Sequence, residues 1–509
     1  MKKRLLTDSV FLLFLGAATS LSLPPYNYFF VNFFTFTIFF FILIKNYDPY
    51  KSYKFFFIYG WVFGFGYFVT NLYWISYSLT YDINFKFLIP FTIILIPSFL
   101  AIFFGLTTYF FAILKPKKNI GSLLLFSLIF GIMEFIRGSI LTGFPWNLIV
   151  YSFANQLKFL SIISLIGTYS LNLFCITLFT CPALILLKRS KKNIGVCIFL
   201  IVTVMCFQVF GSNYEKNFLN KNVETNDYKL RVIGSNISLD KFYSDIDPAL
   251  IIKELIDISK PKINEKTIFV WPEVIIPNLS HERLSQYHKL FEKNFNEDHF
   301  LIIGIKKMNK KYFNTMSIYD HKFNLTDYYS KISLVPFGEF LPAEKILKNI
   351  GLKSITNNYL SFSSGKERKI LEIANKKLDL KILPLICYEI IYSGNLFKNP
   401  NFDLIVNISE DGWFGNTIGP EQHFTHSIFR AIESGKYIVR SSNNGIAAII
   451  NPLGIADKKL EFGQSGYIDL EEMKKIKTTI FSLYGNKIFG LLILLYIFLI
   501  FSFNRIKNE

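Results

Sequence analysis

Cys387 follows directly on a short apolar run, Leu380 to Ile386, which predicts a buried strand. The next residues, Tyr388 to Tyr392, show a helix-like pattern with Glu389 in its first turn. A thiol at such a junction lies near the positive end of the helix, which favours the nucleophilic thiolate. We therefore predict a cysteine nucleophile at this position. The alternative is an inert thiol buried at the end of a strand.

A cysteine nucleophile needs a base for its proton and a positive group for the oxyanion that develops on the substrate. Glu273 supplies a carboxylate just after the predicted strand Thr267 to Trp271, where the strand opens into a loop. Lys331 supplies a cation in an apolar segment that also carries Glu339. Each of these residues alone is more typical of an exposed surface, so the prediction depends on their combination with Cys387.

A third polar segment, NISEDGWFG at 407–415, begins inside the predicted strand Leu404 to Ile408 and runs beyond it. Its glycines and its aromatic residues Trp413 and Phe414 indicate a shaped loop beside the site, the alternative being an ordinary turn. Candidate residues thus follow several predicted strands, where a rigid scaffold usually carries its functional groups.

The composition is that of a membrane protein. The chain has 509 residues, a formal net charge of +18 and 18% aromatic residues, and its mean hydropathy is +0.34. Its basic residues cluster between apolar runs, as topology signals do, so we expect a membrane partner and no nucleic acid. Four of the five cysteines lie in apolar runs, and neither the cysteines nor His423 and His426 have the spacing of metal sites. We expect no metal, no cofactor and a structural role for both histidines.

Eight apolar runs are candidates for membrane spans. Basic clusters lie at alternate ends of these runs, whereas the opposite short loops carry little beyond Lys86 and Lys158. The positive-inside rule therefore puts both termini in the cytoplasm and residues 212–478 outside it. We predict a membrane domain of about seven helices at 1–211, a catalytic domain at 212–478, and a last span with a tail at 479–509. The predicted spans are 5–23, 27–44, 54–79, 88–114, 120–141, 159–187, 194–211 and 479–503.

One span carries charge. Glu134 and Arg137 are three residues apart and share a helix face. Such groups at membrane depth either line a cavity or form an internal ion pair that fixes helix packing, and both readings are open here. The segment from Thr142 to Trp146 follows directly, and its Gly, Pro and aromatic residues are typical of a re-entrant or interfacial loop.

Residues 212–478 alternate between strand-like and helical segments, which predicts one layered α/β domain. Residues 352–368 predict a polar loop. The predicted strands are Lys229 to Gly234, Thr267 to Trp271, Phe300 to Ile305, Met316 to Tyr319, Leu380 to Ile386, Leu404 to Ile408, Tyr437 to Ser441 and Ile446 to Asn451, and the predicted helices lie near 247–259, 281–294, 389–397 and 421–434.

Several of these motifs together resemble a known family. WPE at 271–273, LVPFGEF at 334–340, ICYE at 386–389 and NISEDGWFG at 407–415 are similar to motifs of the carbon–nitrogen hydrolase (nitrilase) superfamily. With the membrane spans and with Glu134, Arg137 and the LTGFPW segment at 141–146, nearly the whole chain resembles the apolipoprotein N-acyltransferase family. The resemblance implies a polytopic α-helical membrane domain joined to an extracytoplasmic α-β-β-α sandwich.

The resemblance also implies roles for individual residues. Cys387 is expected to be the nucleophile, Glu273 the general base and Lys331 the group that stabilises the oxyanion. Glu339, Tyr388 and Glu389 are expected to support this site. The family usually has a tryptophan after a lysine in the first loop of the catalytic domain, but here Phe242 follows Lys241. The residues expected near the acyl entrance are Phe242, Trp413, Phe414 and Gly415, and the candidates in the membrane domain are Glu134, Arg137 and Trp146.

The implied reaction is transfer of a fatty acyl chain from a membrane glycerophospholipid, through a cysteine thioester, to the N-terminal amine of a diacylglyceryl-modified lipoprotein. The expected location is the bacterial inner membrane, with the catalytic domain on the periplasmic side and the protein a monomer. Two alternatives remain at this level: a membrane-tethered amidase that uses water as the acceptor, and a polytopic lipid-binding or transport protein without catalysis.

Overall fold

The structure is a computed structural model that describes residues 2–48, 52–114, 119–349, 361–375, 378–394, 396 and 400–505. The polar loop predicted at 352–368 lies partly outside these residues, since only 361–368 are described. Helices dominate up to residue 219, strands dominate from 224 to 473, and helices return at the C-terminal end.

Six helices of the described chain are long and apolar enough to cross a membrane, and two shorter apolar helices, Val31–Asn46 and Lys487–Phe503, coincide with the other two predicted spans. The last helix before the first strand ends at Leu219, eight residues beyond the end that was predicted at residue 211. The helices of this part are α1 (Lys2–Thr19), α2 (Val31–Asn46), α3 (Lys54–Leu72), α4 (Ile89–Ile113), α5 (Ile120–Arg137), α6 (Leu157–Leu160), α7 (Ile163–Thr180), α8 (Pro182–Leu187) and α9 (Lys191–Leu219).

Aromatic side chains and glycines pack these helices together. The rings of Phe39 on α2 and Phe63 on α3 stack with their centroids 4.1 Å apart. A Cβ atom on Gly60 would lie 2.2 Å from the carbonyl oxygen of Phe104 on α4, so only glycine permits this approach of α3 to α4. Small residues at helix contacts are the usual device inside membranes, where burial of apolar surface gives helices little reason to associate.

The strands form one continuous hydrogen-bonded sheet that folds into two facing halves. The spatial order is β5-β4-β3-β2-β1-β9-β8-β7-β6, and the halves join where Gly234 and Ser235 pair with Ser442 and Asn443. The strands are β1 (Glu224–Ser235), β2 (Thr267–Val270), β3 (His299–Asn309), β4 (Lys311–Tyr319), β5 (Leu325–Ser330), β6 (Leu371–Asn375), β7 (Leu378–Ile386), β8 (Leu404–Glu410), β9 (Tyr437–Asn443), β10 (Ala447–Ile450), β11 (Ala456–Leu460) and β12 (Gly466–Met473).

Three apolar clusters show that the domain has four layers. One cluster lies between the half-sheets and contains Val270 and Ile302 from one half and Ile386 and Val439 from the other. A second fills the space between the outer face of β1–β4 and the helices beside it. The third covers the outer face of β7–β9 and continues without a break into the membrane helices. The helices of this part are α10 (Pro248–Ser259), α11 (His281–Leu284), α12 (His288–Glu292), α13 (Glu344–Asn349), α14 (Gly419–Ser434), α15 (Ile480–Tyr484) and α16 (Lys487–Arg505).

Helix α14 lies between the sheet and the membrane helices, and a buried polar cluster fixes it there. Arg430 and Glu433 form an ion pair of 2.7 Å. Glu433 Oε1 accepts hydrogen bonds from the backbone N–H of Thr168 on α7 (2.8 Å) and from Ser393 Oγ (2.6 Å). Arg430 also donates to Thr168 Oγ1 at 2.8 Å. Because this ion pair is fully buried, separation of the two parts would remove the hydrogen bonds that Thr168 makes to both charged groups.

All eight predicted strands are present, as are the helices predicted at 247–259 and 421–434. The helix predicted at 281–294 is interrupted, because a 3-10 turn separates α11 from α12. The helix predicted at 389–397 is wrong for its described residues, since Cys387–Ile391 form only a short 3-10 turn, while residues 395 and 397 lie outside the described residues. Strands β5, β6, β11 and β12 were not predicted, because their polar and exposed residues lack the apolar pattern of a core strand.

Candidate active site

Glu273, Lys331 and Glu339 meet in a buried cluster where the half-sheets face each other. Lys331 Nζ lies 3.1 Å from Glu273 Oε1 and 2.9 Å from Glu339 Oε2. Asn314 Nδ2 donates to Glu273 Oε1 at 2.7 Å and to Glu339 Oε1 at 2.9 Å. The other oxygen of Glu273 accepts a hydrogen bond of 3.0 Å from the backbone N–H of Glu410. Both carboxylates are therefore held in fixed orientations by donors on several sides.

The electrostatics of this cluster keep Lys331 charged. Burial alone would lower the pKa of Lys331, but the carboxylates of Glu273 and Glu339 outweigh it and hold that pKa above its usual value. Burial also raises the pKa of Glu339, which Lys331 opposes and the charge of Glu273 reinforces. A fixed, dry ammonium group is suited to stabilise an oxyanion that forms beside it.

Cys387 ends β7 in an unusual backbone conformation. Its φ of +47° lies in the left-handed region, which is rare for a residue with a side chain and typical of strained functional turns. Burial and, next, the charge of Glu273 raise the pKa of the Cys387 thiol well above its usual value, against the opposing effect of Lys331. The expectation of a thiolate favoured by a helix N-terminus is thus wrong, because a short 3-10 turn, Cys387–Ile391, follows the strand and burial favours the neutral thiol.

A second buried hydrogen-bond network contacts Cys387 through Ser409 and His423. Ser409 Oγ donates to Asp411 Oδ1 at 2.6 Å, and the Ser409 hydroxyl contacts the Cys387 thiol. His423 lies between Asp411, at 2.8 Å from its Nδ1, and the carbonyl oxygen of Cys387, at 3.3 Å from its Nε2. Arg440 completes the network with an ion pair of 2.7 Å to Asp411. His423 thus links Asp411 to the backbone of the candidate nucleophile, and its structural role stays a prediction.

Glu389 ties the turn at Cys387 to the segment after Lys331. Its Oε2 accepts from the backbone N–H of Ile386 at 3.0 Å, and its Oε1 accepts from the backbone N–H of Ile332 at 3.0 Å and from Tyr329 Oη at 2.7 Å. Arg368 forms an ion pair of 3.1 Å with the same oxygen. Glu389 is fully buried and contacts the loops rather than the reacting groups, so its geometry is that of a support.

The charged pair of the membrane domain positions a loop at this site. Arg137 lies 2.9 Å from Glu134 and donates to the carbonyl oxygens of Phe144 and, at 3.3 Å, Asn147. The loop that Arg137 holds accepts a hydrogen bond of 2.8 Å at its Gly143 carbonyl from Tyr388 Oη, next to Cys387. The sequence left open whether Glu134 and Arg137 line a cavity or form an internal ion pair. These contacts are those of an internal ion pair.

Aromatic residues from both parts of the chain cover the loop at 411–415. The rings of Phe242 and Trp413 lie with centroids 5.1 Å apart, and Phe414 contacts Trp146 at 5.7 Å. Trp146 also donates from Nε1 to Gln422 on α14 at 2.9 Å. Gly415 has a φ of +62°, and a Cβ atom there would lie 2.2 Å from the ring of Tyr77, so this position requires glycine.

A second buried ion pair includes Glu410, whose backbone N–H donates to the Glu273 oxygen that Lys331 does not contact. Lys241 Nζ is 2.8 Å from Glu410 Oε2, and neither side chain is exposed beyond 2%. Asn443 donates to the same oxygen at 2.7 Å. Burial lowers the pKa of Lys241 and raises that of Glu410, while their mutual attraction opposes both shifts. Because the backbone N–H of Glu410 binds Glu273, this pair fixes the position of that donor.

We expect Lys241→Met to slow acylation of Cys387 by about ten- to a hundredfold and to destabilise the fold by about 3–5 kcal/mol, because it leaves Glu410 buried and unpaired. The measurements are the rate of covalent acylation and the thermal unfolding transition. A Lys241→Met/Glu410→Gln double variant removes the unpaired charge and should recover stability. Parental stability and rate in Lys241→Met would contradict the positioning role.

Sequence reasoning found the residues that end strands and missed those that reach the site from strand interiors. Asn314 lies within β4 but before the predicted strand Met316 to Tyr319, so no signal marked it. Glu410 and Asp411 were visible as an acidic pair in NISEDGWFG, but their partners Lys241 and Arg440 are distant in sequence. Among the described residues, no group of three His, Cys, Asp or Glu side chains has the geometry of a metal site.

The arrangement of a buried thiol, a fixed carboxylate and a fixed ammonium group fits covalent acyl transfer, and comparisons with known proteins agree with it. Residues 15–181 match the family model for the apolipoprotein N-acyltransferase N-terminal domain, and residues 255–471 match the model for carbon-nitrogen hydrolases. These matches confirm the predicted nitrilase-like fold.

Curated relatives extend over nearly the whole chain. An apolipoprotein N-acyltransferase of Rhodopseudomonas palustris is 31% identical, with 94% of this chain and 92% of that protein aligned. One of Brucella melitensis is 28% identical, with 89% of this chain and 87% of that protein aligned. Neither the amidase nor the non-catalytic alternative is favoured. This chain is a membrane-associated acyltransferase and belongs to the apolipoprotein N-acyltransferase family.

Proposed function

We propose that this protein transfers a fatty acyl chain from a membrane glycerophospholipid to the N-terminal α-amine of a diacylglyceryl-cysteine lipoprotein. The observation that carries the proposal is the contact of Glu273 with Lys331 beside the thiol of Cys387, in a chain whose other half is built of apolar helices. Covalent catalysis divides a difficult transfer between two membrane-anchored substrates into two easier steps.

In the first step, Glu273 accepts the proton of the Cys387 thiol and the sulfur attacks the ester carbonyl of the lipid. A C–S bond forms, and the carbonyl oxygen becomes an oxyanion that Lys331 stabilises. The intermediate collapses with cleavage of the ester C–O bond. Glu273 returns its proton to the leaving alkoxide, so that a lysophospholipid departs and an acyl-thioester remains on Cys387.

In the second step, the neutral α-amine of the lipoprotein attacks the thioester carbonyl. Glu273 accepts a proton from the attacking nitrogen, and Lys331 again stabilises the oxyanion. The C–S bond breaks as the amide forms, and the proton held by Glu273 returns to the sulfur. The thiol of Cys387 and the carboxylate of Glu273 are then restored. The atoms, protons and electrons of both steps balance without a metal or redox cofactor.

The neighbouring residues support these steps. Glu339 shares Lys331 and Asn314 with Glu273 and so fixes the cation. Burial raises the pKa of Tyr388, whose hydroxyl joins the turn of Cys387 to the membrane loop. Glu389 fixes the same turn by accepting a hydrogen bond from the backbone N–H of Ile386. The loop with Trp413, Phe414 and Gly415, together with Phe242 packed against it, forms the side of the site that meets the acyl chain.

The charge pattern supports a topology with both termini in the cytoplasm and the catalytic domain, about residues 212–478, on the periplasmic face of the bacterial inner membrane. Residues 1–211 and 479–509 form the membrane part in this proposal. Each lipid substrate then reaches the site from the outer leaflet. A single chain supplies all the groups named above, so the proposed working unit is a monomer.

The test is intact mass spectrometry of the purified protein with phosphatidylethanolamine, followed by addition of a diacylglyceryl peptide with a free N-terminus. The expected result is a fatty-acyl increment on the protein that hydroxylamine removes, and that the peptide takes up as an amide. Absence of the increment in folded protein would refute the thioester step. Release of free fatty acid with the peptide unmodified would show a hydrolase instead.

A further inference from the structure

A cavity of about 720 Å³ lies between the catalytic domain and the membrane loop that follows α5. One wall is the membrane loop, with Leu141 and Thr142. The other walls belong to the catalytic domain and contain both apolar and polar side chains. They are formed by Lys310, Lys311, Tyr312, Ile332, Ser333, Leu334, Phe340, Leu341, Glu344, Ser361, Phe362, Ser363, Ser364 and Tyr392.

Several residues that line this cavity belong to the same chain segments as the active-site residues. Tyr312 precedes Asn314 by two residues on β4, and residues 332–334 follow Lys331 directly. The backbone N–H of Phe362 donates to the carbonyl oxygen of Glu339 at 2.7 Å, and that of Ser363 donates to Tyr312 at 2.8 Å. The cavity is therefore lined by the same chain segments that carry Asn314, Lys331 and Glu339.

The opposite side of the cavity is continuous with the surface of the membrane part. Leu141 is 84% exposed and Ile140 is 46% exposed, so this loop presents aliphatic side chains outward. Tyr392 Oη donates to the Thr142 carbonyl at 2.7 Å and fixes the loop against the catalytic domain. Exposed aliphatic side chains at this level suit contact with lipid rather than with water.

The charge of the lining is positive. Lys310 and Lys311 lie exposed at the turn between β3 and β4, and Glu344 is the one acidic residue among the lining residues. Neither lysine forms an ion pair with any residue that the structure describes. Glu344 accepts a hydrogen bond from Ser361 Oγ at 3.1 Å. Two ammonium groups thus point to an anionic ligand that would enter next to the active site.

We infer that this cavity binds the phosphate group of the glycerophospholipid acyl donor, with Lys310 and Lys311 as its cationic partners and Ser333 and Ser363 as hydroxyl donors. The inference rests on the proposed function and names the substrate group that the cavity recognises. A lipid held in this way keeps its acyl chains along the aliphatic side chains of Leu141, Leu334 and Leu341, which leaves its ester linkage nearest the active site.

The same site discriminates between the two substrates of the reaction. The donor carries a phosphate, whereas the diacylglyceryl-cysteine acceptor has none in its lipid portion. The lysines therefore favour the donor while Cys387 is free, and they contribute nothing comparable to the acceptor. We expect their removal to raise the KM for phospholipid and to leave the KM for the diacylglyceryl peptide nearly constant.

The experiment compares two acyl donors in neutral detergent micelles, where no charged membrane surface attracts the protein. One donor is phosphatidylethanolamine and the other is diacylglycerol, which has the same esters and no phosphate. The variant is Lys310→Gln/Lys311→Gln. The control is Lys289→Gln/Lys293→Gln, which removes the same charge from exposed lysines at α12, remote in sequence from the cavity lining. The readout is the rate of hydroxylamine-labile acylation of the protein at subsaturating donor.

The expected result is that the ratio of the two donor rates falls about tenfold in the Lys310/Lys311 variant, the effect of two partly exposed charges, and stays at the parental value in the control. Soluble glycerophosphoethanolamine should inhibit the parent and not the variant, which shows that the head group is bound without its acyl chains. An unchanged ratio, or equal losses with both donors, would overturn the inference. Failure of the parent to become acylated by either donor would refute the proposed function instead.

Discussion

Replacement of Cys387 by alanine is expected to abolish the acyl-enzyme and to reduce N-acyl transfer by about four orders of magnitude or more, as loss of a covalent nucleophile does in other enzymes. The physical reason is that Glu273 and Lys331 have no reaction to assist without the sulfur. The buried site also offers no second nucleophile of comparable strength, since the nearby Ser409 hydroxyl donates to Asp411. The measurements are intact mass after incubation with phospholipid and the rate of peptide N-acylation.

Cys206→Ala provides the matched control. Cys206 is an exposed cysteine on α9, and its removal should leave the acyl increment and the transfer rate unchanged. Both variants should unfold at close to the parental temperature, because each loses a single sulfur atom and no ion pair. Persistent hydroxylamine-labile acylation of Cys387→Ala would contradict the assignment and would direct attention to another cysteine.

The sequence marked Glu273 and Cys387 because each directly follows a predicted apolar strand, whereas Lys331 follows β5, which was not predicted, and was found from its motif. Glu273 follows β2 and Cys387 follows β7, and both strands are short apolar runs with clear limits. The membrane spans were predictable for a similar reason, since their apolar runs and basic flanks are local signals. Predictions from local patterns of this kind agree with the structure because the strands and helices that they specify form the scaffold of the protein.

The parts that could not be predicted depend on contacts between distant segments. The turn at Cys387 is a short 3-10 segment instead of a helix, because Glu389 accepts hydrogen bonds from Ile386 and Ile332 and so draws two loops together. The pairing of Lys241 with Glu410 joins residues that are far apart in sequence. Likewise, no local feature shows that Arg137 holds a loop whose Gly143 carbonyl binds Tyr388.

Replacement of Glu273 by glutamine is the second change with a large expected effect. Glutamine keeps the size of the side chain and an oxygen that can accept from Asn314 or Lys331, but it cannot take a proton. We expect the rate of Cys387 acylation to fall by about a thousandfold, within the range typical of lost general-base catalysis. Glu282→Gln, which changes an exposed glutamate on α11 in the same way, should leave the rate unchanged.

The pH dependence of the Glu273→Gln variant separates loss of the base from damage to the fold. Burial raises the pKa of the Cys387 thiol above its usual value, so the thiol stays protonated at neutral pH and ionises only as the pH rises. Without a base, the acylation rate should follow the small thiolate fraction and increase about tenfold per pH unit between about pH 7 and 9. The parent should reach a plateau in this range, because Glu273 removes the proton during the attack. A variant whose rate is low and independent of pH would instead have lost the geometry of the site, since a correctly placed thiol must gain reactivity as it ionises.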